Sequence, residues 1–143
     1  MSLEPFVRYF KEIGEAETRT IYILDERSDS IPKGEYALAE FYCTDRKCDC
    51  RRVMLNVISK EKGHVASISF GFDPNGSMSG PFLDPINKQS SYAEDLLQLV
   101  KDLVLSDDAY VARLERHYKM FKDKLAHPQS AGKWWKKKPR KLR

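Results

Sequence analysis

A β-hairpin pattern over residues 51–72 constrains the fold of this chain more than any other feature of its sequence. Val53, Leu55 and Val57 recur at every second position, which is typical of a strand with one buried face. The segment Lys60-Glu61-Lys62-Gly63 follows, and its glycine can adopt the positive φ that hairpin turns require. The returning strand is predicted to carry a common face made of His64, Ala66, Ile68, Phe70 and Phe72.

Two more segments are predicted to widen this hairpin into a small antiparallel sheet of three to four strands. Residues 18–24 are rich in β-branched side chains, a composition typical of a strand. Residues 36–42 suit either a strand or a helix, and we favour a strand because Gly34 precedes the segment and a cysteine-rich loop follows it. Residues 73–89 are expected to form a long loop, a length that is often functional.

Helices are predicted on both sides of these strands in the sequence. Residues 5–13 form a short amphipathic pattern that Gly14 is expected to end. Two amphipathic helices are predicted in the C-terminal part. The first begins at Ser90 or Ser91, and Ser91 can form a capping box with Glu94, whereas the second begins at Ser106. The sequence therefore predicts an α+β fold in which an N-terminal helix and two C-terminal helices pack against the sheet.

The bulk composition fits one cytoplasmic domain. A chain of 143 residues, 41% hydrophobic and 32% charged, is long enough to bury a core without disulfides. No apolar run reaches the roughly 18 residues of a membrane helix, and no signal-peptide pattern opens the chain. We predict one α+β domain over residues 1–125, a basic and disordered tail over residues 126–143, and a cytoplasmic location.

Three cysteines, Cys43, Cys48 and Cys50, all fall within eight positions. An odd and clustered set does not suit a secreted disulfide framework and points to metal binding or redox chemistry. The C-x4-C-x-C spacing lies in a loop that leads into a strand, so several thiolates can converge on one ion at about 2.3 Å. Basic residues of the same segment offset the negative charge of such a site. We predict a structural zinc ion.

A closed zinc site needs a fourth ligand, and the chain has no fourth cysteine. His117 is the first choice because it falls on the inward face of the last helix. His64 is the second choice, although the hairpin places it at the far end from Cys50. His127 is a poor candidate beside a proline, whereas either carboxylate of the loop, Asp45 or Asp49, remains possible.

Two other interpretations of the cysteines stay open. They could be inert, partly buried thiols, or they could do redox or iron–sulfur chemistry, for instance through a Cys48–Cys50 disulfide. A zinc-dependent enzyme is a further alternative, but the chain has no nucleophile elbow, phosphate-binding glycine loop, H-E-x-x-H motif or dinucleotide fingerprint. A binding or interaction module is therefore the leading hypothesis.

Three short segments carry a resemblance to a known group of proteins. They are Glu40-Phe41-Tyr42-Cys43, Cys48-Asp49-Cys50-Arg51-Arg52-Val53 and Arg116-His117-Tyr118. Together they resemble a prokaryotic family to which no activity is assigned. The resemblance implies an association between the cysteines and the Arg-His-Tyr helix, which favours His117 as a ligand, and it implies no function.

The C-terminus is the other functional clue. The last eleven residues carry seven positive charges and no acid, which leaves 18 basic and 21 acidic residues, or a net charge of −3, for the rest of the chain. Such a tail could bind RNA or single-stranded nucleic acid through phosphate contacts and base stacking, could bind an anionic membrane surface, or could be a solvated terminus. The residues predicted to contact nucleic acid are Lys133, Trp134, Trp135, Lys136, Lys137, Lys138 and Arg140.

Overall fold

The computed structural model of the chain describes residues 2–25, 31–76 and 78–127. These residues form six strands and three α-helices. In chain order they are β1 (Leu3–Pro5), α1 (Lys11–Glu17), β2 (Arg19–Ile23), β3 (Gly34–Cys43), β4 (Arg52–Ser59), β5 (Gly63–Gly71), β6 (Phe82–Leu83), α2 (Ala93–Leu99) and α3 (Asp108–Ala126).

The strands form one antiparallel sheet in the order β1-β3-β4-β5-β6. Strand β2 also pairs with β3 and lies on the same edge as β1, because β1 faces residues 41–43 and β2 faces residues 34–38. The predicted α+β class is confirmed, but the predicted count of three to four strands is wrong. Strands β1 and β6 contain only three and two residues, too few to produce a detectable alternation.

The predicted hairpin is formed by β4 and β5, and Gly63 adopts a φ of +79° at its turn. One detail of the prediction is wrong. Val57 pairs with Ala66 while Ile58 pairs with His64, so Val65 is an extra residue, as in a β-bulge. The bulge removes His64 from the face shared by Ala66 and Ile68, and its side chain is exposed.

The N-terminal segment differs from the predicted helix over residues 5–13. Pro5 ends β1, a 3-10 turn spans Phe6–Arg8, and α1 begins only at Lys11. Gly14 lies inside α1 and does not end it. A Cβ at this position would lie 2.4 Å from Cγ1 of Val7, so the glycine permits a close approach to the preceding turn.

The C-terminal helices begin slightly later than predicted. Helix α2 has Tyr92 at its N-cap without a side-chain hydrogen bond, so the predicted Ser91–Glu94 capping box does not form. Helix α3 is capped by Asp107, whose Oδ1 accepts a hydrogen bond from the backbone N–H of Ala109 at 3.0 Å. Between them, Val100–Val104 forms a short π-helical segment.

The core lies between one face of the sheet and the helices. Tyr42 of β3, Leu55 of β4 and Leu114 of α3 are fully buried there. His117 is fully buried in the same layer, as its predicted inward orientation requires. Among the helices in the described ranges, none is long and apolar enough to cross a membrane. The predicted tail from residue 128 onward lies outside the described residues.

Candidate metal centre and a buried histidine cluster

The three cysteines meet where the sheet turns from β3 into β4. Cys43 is the last residue of β3, and Cys48 and Cys50 lie in the connection to β4. A turn brings them together, because the N–H of Cys48 donates to the carbonyl of Asp45 at 3.1 Å. The three Sγ atoms lie within 4.8 Å of one another, and all three thiols are free. This set of sulfurs, hereafter the cysteine cluster, could hold a metal ion.

The cysteine cluster combines a buried anchor with accessible sulfurs. Cys43 is buried, whereas Cys48 and Cys50 are partly exposed. The backbone N–H of Asp45 lies 3.4 Å from Sγ of Cys43 and donates to it. Arg46 and Lys47, both exposed, add positive charge to the same loop.

The connection between β3 and β4, residues 44–51, is hereafter the cysteine loop. Helix α3 holds this loop in place through two side chains. Oη of Tyr118 donates to Oδ1 of Asp49 at 2.8 Å and accepts from the backbone N–H of Arg51 at 3.1 Å. Nζ of Lys122 donates to the carbonyls of Cys43 at 3.0 Å and Asp45 at 2.8 Å. These bonds hold the backbone on both sides of the cysteines through protein groups alone, without a metal.

The Tyr118 contact is supported by the protonation state of the phenol. Burial raises the pKa of Tyr118, and although the Arg51 N–H lowers it in part, the hydrogen bond to Asp49 raises it further. The hydroxyl therefore stays protonated at neutral pH and remains a donor to Asp49.

Arg51 itself has a φ of 52°, a left-handed conformation that reverses the chain between Cys50 and β4.

Three grooves adjoin the cysteine loop, and the largest of them, of about 640 Å³, is lined by Thr44, Asp45, Arg46, Lys47 and Ala126. The other two lie beside the cysteines and beside Tyr118. The first, of about 200 Å³, is lined by Cys43, Cys50 and Arg52, together with Leu3, Phe41, Val53, Met54 and Ser69. The second, of about 320 Å³, is lined by Asp49, Arg51, Phe72, Glu115, Tyr118, Lys119 and Lys122. Two of the three cysteines reach the first groove, and none of them lines the second.

His117 occupies a different site, although sequence analysis placed it with the cysteines. Its Nδ1 lies 2.7 Å from Oε1 of Glu40, and its Nε2 lies 2.6 Å from Oε1 of Glu17. The ring also stacks on Phe6, with centroids 4.1 Å apart. Both ring nitrogens are thus engaged by carboxylates, and the structure does not bring His117 to the sulfurs. We call His117, Glu40, Glu17 and Phe6 the histidine cluster.

The histidine cluster is buried except for Glu17, which is partly exposed. A neutral imidazole has one N–H, so two carboxylate contacts require either an imidazolium or one protonated carboxyl group. Although partial burial raises the pKa of Glu17, hydrogen bonds from His117 and Arg116 outweigh it and leave that pKa below its usual value. Tyr42 donates to Glu40 at 2.7 Å, and burial together with the Glu40 charge raises the pKa of Tyr42.

The structure also shows where the other predicted fourth ligands lie. Nε2 of His64 contacts Oγ of Ser67 at 2.7 Å, at the opposite end of β4 from the cysteines. Asp49 accepts from Tyr118, and Oδ1 of Asp45 accepts from the N–H of Lys47 at 2.9 Å. His127 directly follows α3. Within the described ranges, no histidine nitrogen or carboxylate oxygen joins the three sulfurs within 4.8 Å.

Sequence analysis missed the residues that organise both clusters. Glu40 interrupts an apolar alternation between Leu38 and Tyr42, and a charged residue at a buried strand position signals a buried partner. That signal was available. Tyr118 belongs to the apolar stripe of α3, and nothing in its spacing reveals that its hydroxyl reaches Asp49.

The predicted nucleic-acid residues Lys133, Trp134, Trp135, Lys136, Lys137, Lys138 and Arg140 lie outside the described residues. Comparisons of the chain with protein-family models, with curated proteins and with solved structures found no match.

Proposed function

We propose that this protein is a small zinc-binding domain that acts as a binding or interaction module, with Cys43, Cys48 and Cys50 as zinc ligands. The proposal is supported above all by the three free Sγ atoms within 4.8 Å of one another. Sulfurs bound to one tetrahedral zinc at about 2.3 Å lie roughly 3.8 Å apart. A small side-chain adjustment therefore converts the observed arrangement into a coordination sphere.

The chemistry of the donors selects the metal. Thiolates are soft ligands that favour zinc over magnesium and calcium, which take oxygen ligands. Three thiolates and one divalent cation carry a net negative charge, and the basic side chains of Arg46, Lys47 and Arg51 in the same loop compensate it. A zinc ion there would join the end of β3 to the start of β4, a structural role.

Metal content is the direct test. Protein purified without exposure to oxygen is expected to contain stoichiometric zinc by elemental analysis, and Cys48→Ser is expected to lose it. Lys60→Ala is the control, because Lys60 is exposed in the turn between β4 and β5, at the opposite end of β4 from the cysteines. Zinc-free native protein with reversible Cys48–Cys50 oxidation would contradict the proposal and support the alternative, a thiol-redox enzyme.

The module is further proposed to contact single-stranded nucleic acid through residues 132–143. The supporting observation is the charge distribution, with seven positive charges in the last eleven residues and a net charge of −3 in the rest. Affinity for single-stranded RNA should fall with salt, with a logarithmic slope no steeper than about −5 if all seven charges contact phosphates. Deletion of residues 132–143 should abolish binding, and binding that survives the deletion would overturn this part of the proposal.

A further inference from the structure

We infer that the metal held by the cysteine cluster keeps a fourth coordination position that opens into the groove beside Arg52 and accepts a small anionic ligand. The inference rests on the proposed zinc site and specifies what that site binds. The ligand class is a small aliphatic molecule carrying a thiolate, with a carboxylate that Arg52 can hold.

The first argument is the number of available protein ligands. Zinc in proteins is usually four-coordinate, and a site with three protein ligands completes its sphere with water or an exogenous ligand. The chain contains three cysteines and three histidines. In the part of the chain that the structure describes, only the three sulfurs come together, while His117 and His64 are engaged elsewhere.

The second argument is access. Cys50 is partly exposed, and Cys43 and Cys50 both line the groove of about 200 Å³. A metal bound to these sulfurs can therefore be reached from that groove by a molecule of a few heavy atoms. The groove on the other side of the loop is lined by no cysteine, so a ligand held there would not reach the metal.

The third argument is charge. The described lining of the first groove contains one cation, Arg52, and no acidic side chain. The guanidinium is fixed in position, because Nη2 donates to Oγ of Ser69 at 2.9 Å and the group lies 5.6 Å from the centroid of the Phe82 ring. A planar, immobilised guanidinium is suited to hold a carboxylate. Leu3, Phe41 and Met54 supply an apolar wall for a short aliphatic body.

Cobalt(II) replaces zinc in such sites and reports its ligands by absorption. Cobalt-loaded protein is to be titrated with mercaptoacetate and, in parallel, with cysteamine, which offers the same thiolate but an ammonium group. We expect saturable spectral changes with mercaptoacetate, including a rise of about one third in sulfur-to-cobalt charge-transfer intensity as three thiolates become four. Half-saturation with cysteamine should need a concentration at least about tenfold higher.

Arg52→Gln is expected to remove this preference while cobalt stays bound, and Lys60→Gln, an exposed variant in the turn between β4 and β5, is expected to keep it. Equilibrium dialysis confirms that cobalt is retained throughout the titration. Cobalt binding with a spectrum unchanged by either thiol would show a closed coordination sphere and overturn the inference alone. Failure of the reduced protein to bind cobalt would overturn the proposed zinc site as well.

A second measurement identifies a hidden protein ligand. The cobalt spectra of Asp45→Asn, Asp49→Asn and His127→Gln are expected to match that of the native protein. A shifted ligand-field spectrum in Asp45→Asn or His127→Gln, or in Asp49→Asn but not in Tyr118→Phe, would assign that residue to the fourth position and overturn the inference, whether or not the variant binds mercaptoacetate.

Discussion

The cysteine cluster and the histidine cluster both contain side chains that commonly bind metals, yet they differ in how those side chains are used. Both ring nitrogens of His117 contact carboxylate oxygens, and the ring is fully buried against Phe6. The sulfurs of the cysteine cluster are free thiols that lie close together, and two of the three residues are partly exposed. The residue type suggests a possible metal ligand, but the side chain can bind a metal only if its ligand atom is not already engaged by another group.

The two clusters also stabilise the protein by different means. The histidine cluster joins α1, β3 and α3 through His117 and Glu40, which are buried, and Glu17, which is partly exposed, so the two buried groups depend on their partners. The cysteine cluster lies at the periphery, where Tyr118 and Lys122 already hold the backbone. We therefore expect the first to control the stability of the fold and the second to control the binding of metal.

The largest expected effect is at His117. His117→Ala should lower the free energy of unfolding by about 3–5 kcal/mol, because buried Glu40 would lose its contact with His117 and be left with the hydrogen bond from Tyr42. Urea denaturation measures it. Arg116→Ala is the control: it also removes a contact to Glu17, but the Arg116 side chain is 49% exposed, and the expected loss is below about 1 kcal/mol. Equal losses in the two variants would refute the distinction.

A milder variant separates stability from metal binding at the same position. His117→Gln retains an amide that can contact both carboxylates, so the folded variant should keep its zinc content. Loss of zinc from folded His117→Gln protein would mean that His117 belongs to the metal site after all.

The second effect concerns the cysteine cluster. At free zinc about 100-fold above the dissociation constant, bound metal stabilises the native state by about 3 kcal/mol, so a chelator should lower the melting temperature. Cys50→Ser should melt at the same temperature with and without the chelator. A chelator effect that persists in this variant would place the stabilising metal elsewhere.

The third effect concerns the contact between α3 and the cysteine loop. Tyr118→Phe removes the hydrogen bonds to Asp49 and Arg51 and should cost about 1–2 kcal/mol and accelerate zinc loss to a chelator. Tyr110→Phe is a matched control in the same helix, because Oη of Tyr110 is buried and has no hydrogen-bond partner among the described residues. Its removal should be neutral or slightly stabilising, so similar losses in the two variants would discount the Tyr118 contacts.

The smallest effect is the acid response of Glu17. Since its pKa is lower in the folded protein than in the unfolded chain, its contribution is complete above the unfolded pKa and is lost as the pH falls through the folded pKa. The side chain is 32% exposed, so the contribution should stay below about 1 kcal/mol. Stability curves between pH 7 and pH 3 for native protein and Glu17→Gln should differ most at the upper end and converge toward acid. Parallel curves would contradict this assignment.

The sequence by itself determined the α+β class, the hairpin of β4 and β5, the strand β3, the inward orientation of His117 and the proximity of the three cysteines. Each depends on local information: a period of two residues, a glycine at a turn, a helical stripe, or a short spacing within one loop. Local information failed at Val65. The β-bulge there places His64 on a different face from Ala66, and the alternation of apolar residues in the sequence gives no sign of it.

Only the tertiary structure decided what His117 touches. Its contacts to Glu40 and Glu17 are separated by 77 and 100 positions, and its distance from the cysteines depends on how α3 crosses the sheet. Glu17 belongs to a short helix whose position was not predicted. Its carboxylate contacts Nε2 of His117, so this ring nitrogen is not available to a metal. Contacts between elements distant in sequence follow from packing of the whole core, so residue spacing predicted the grouping of the three cysteines but not the surroundings of His117.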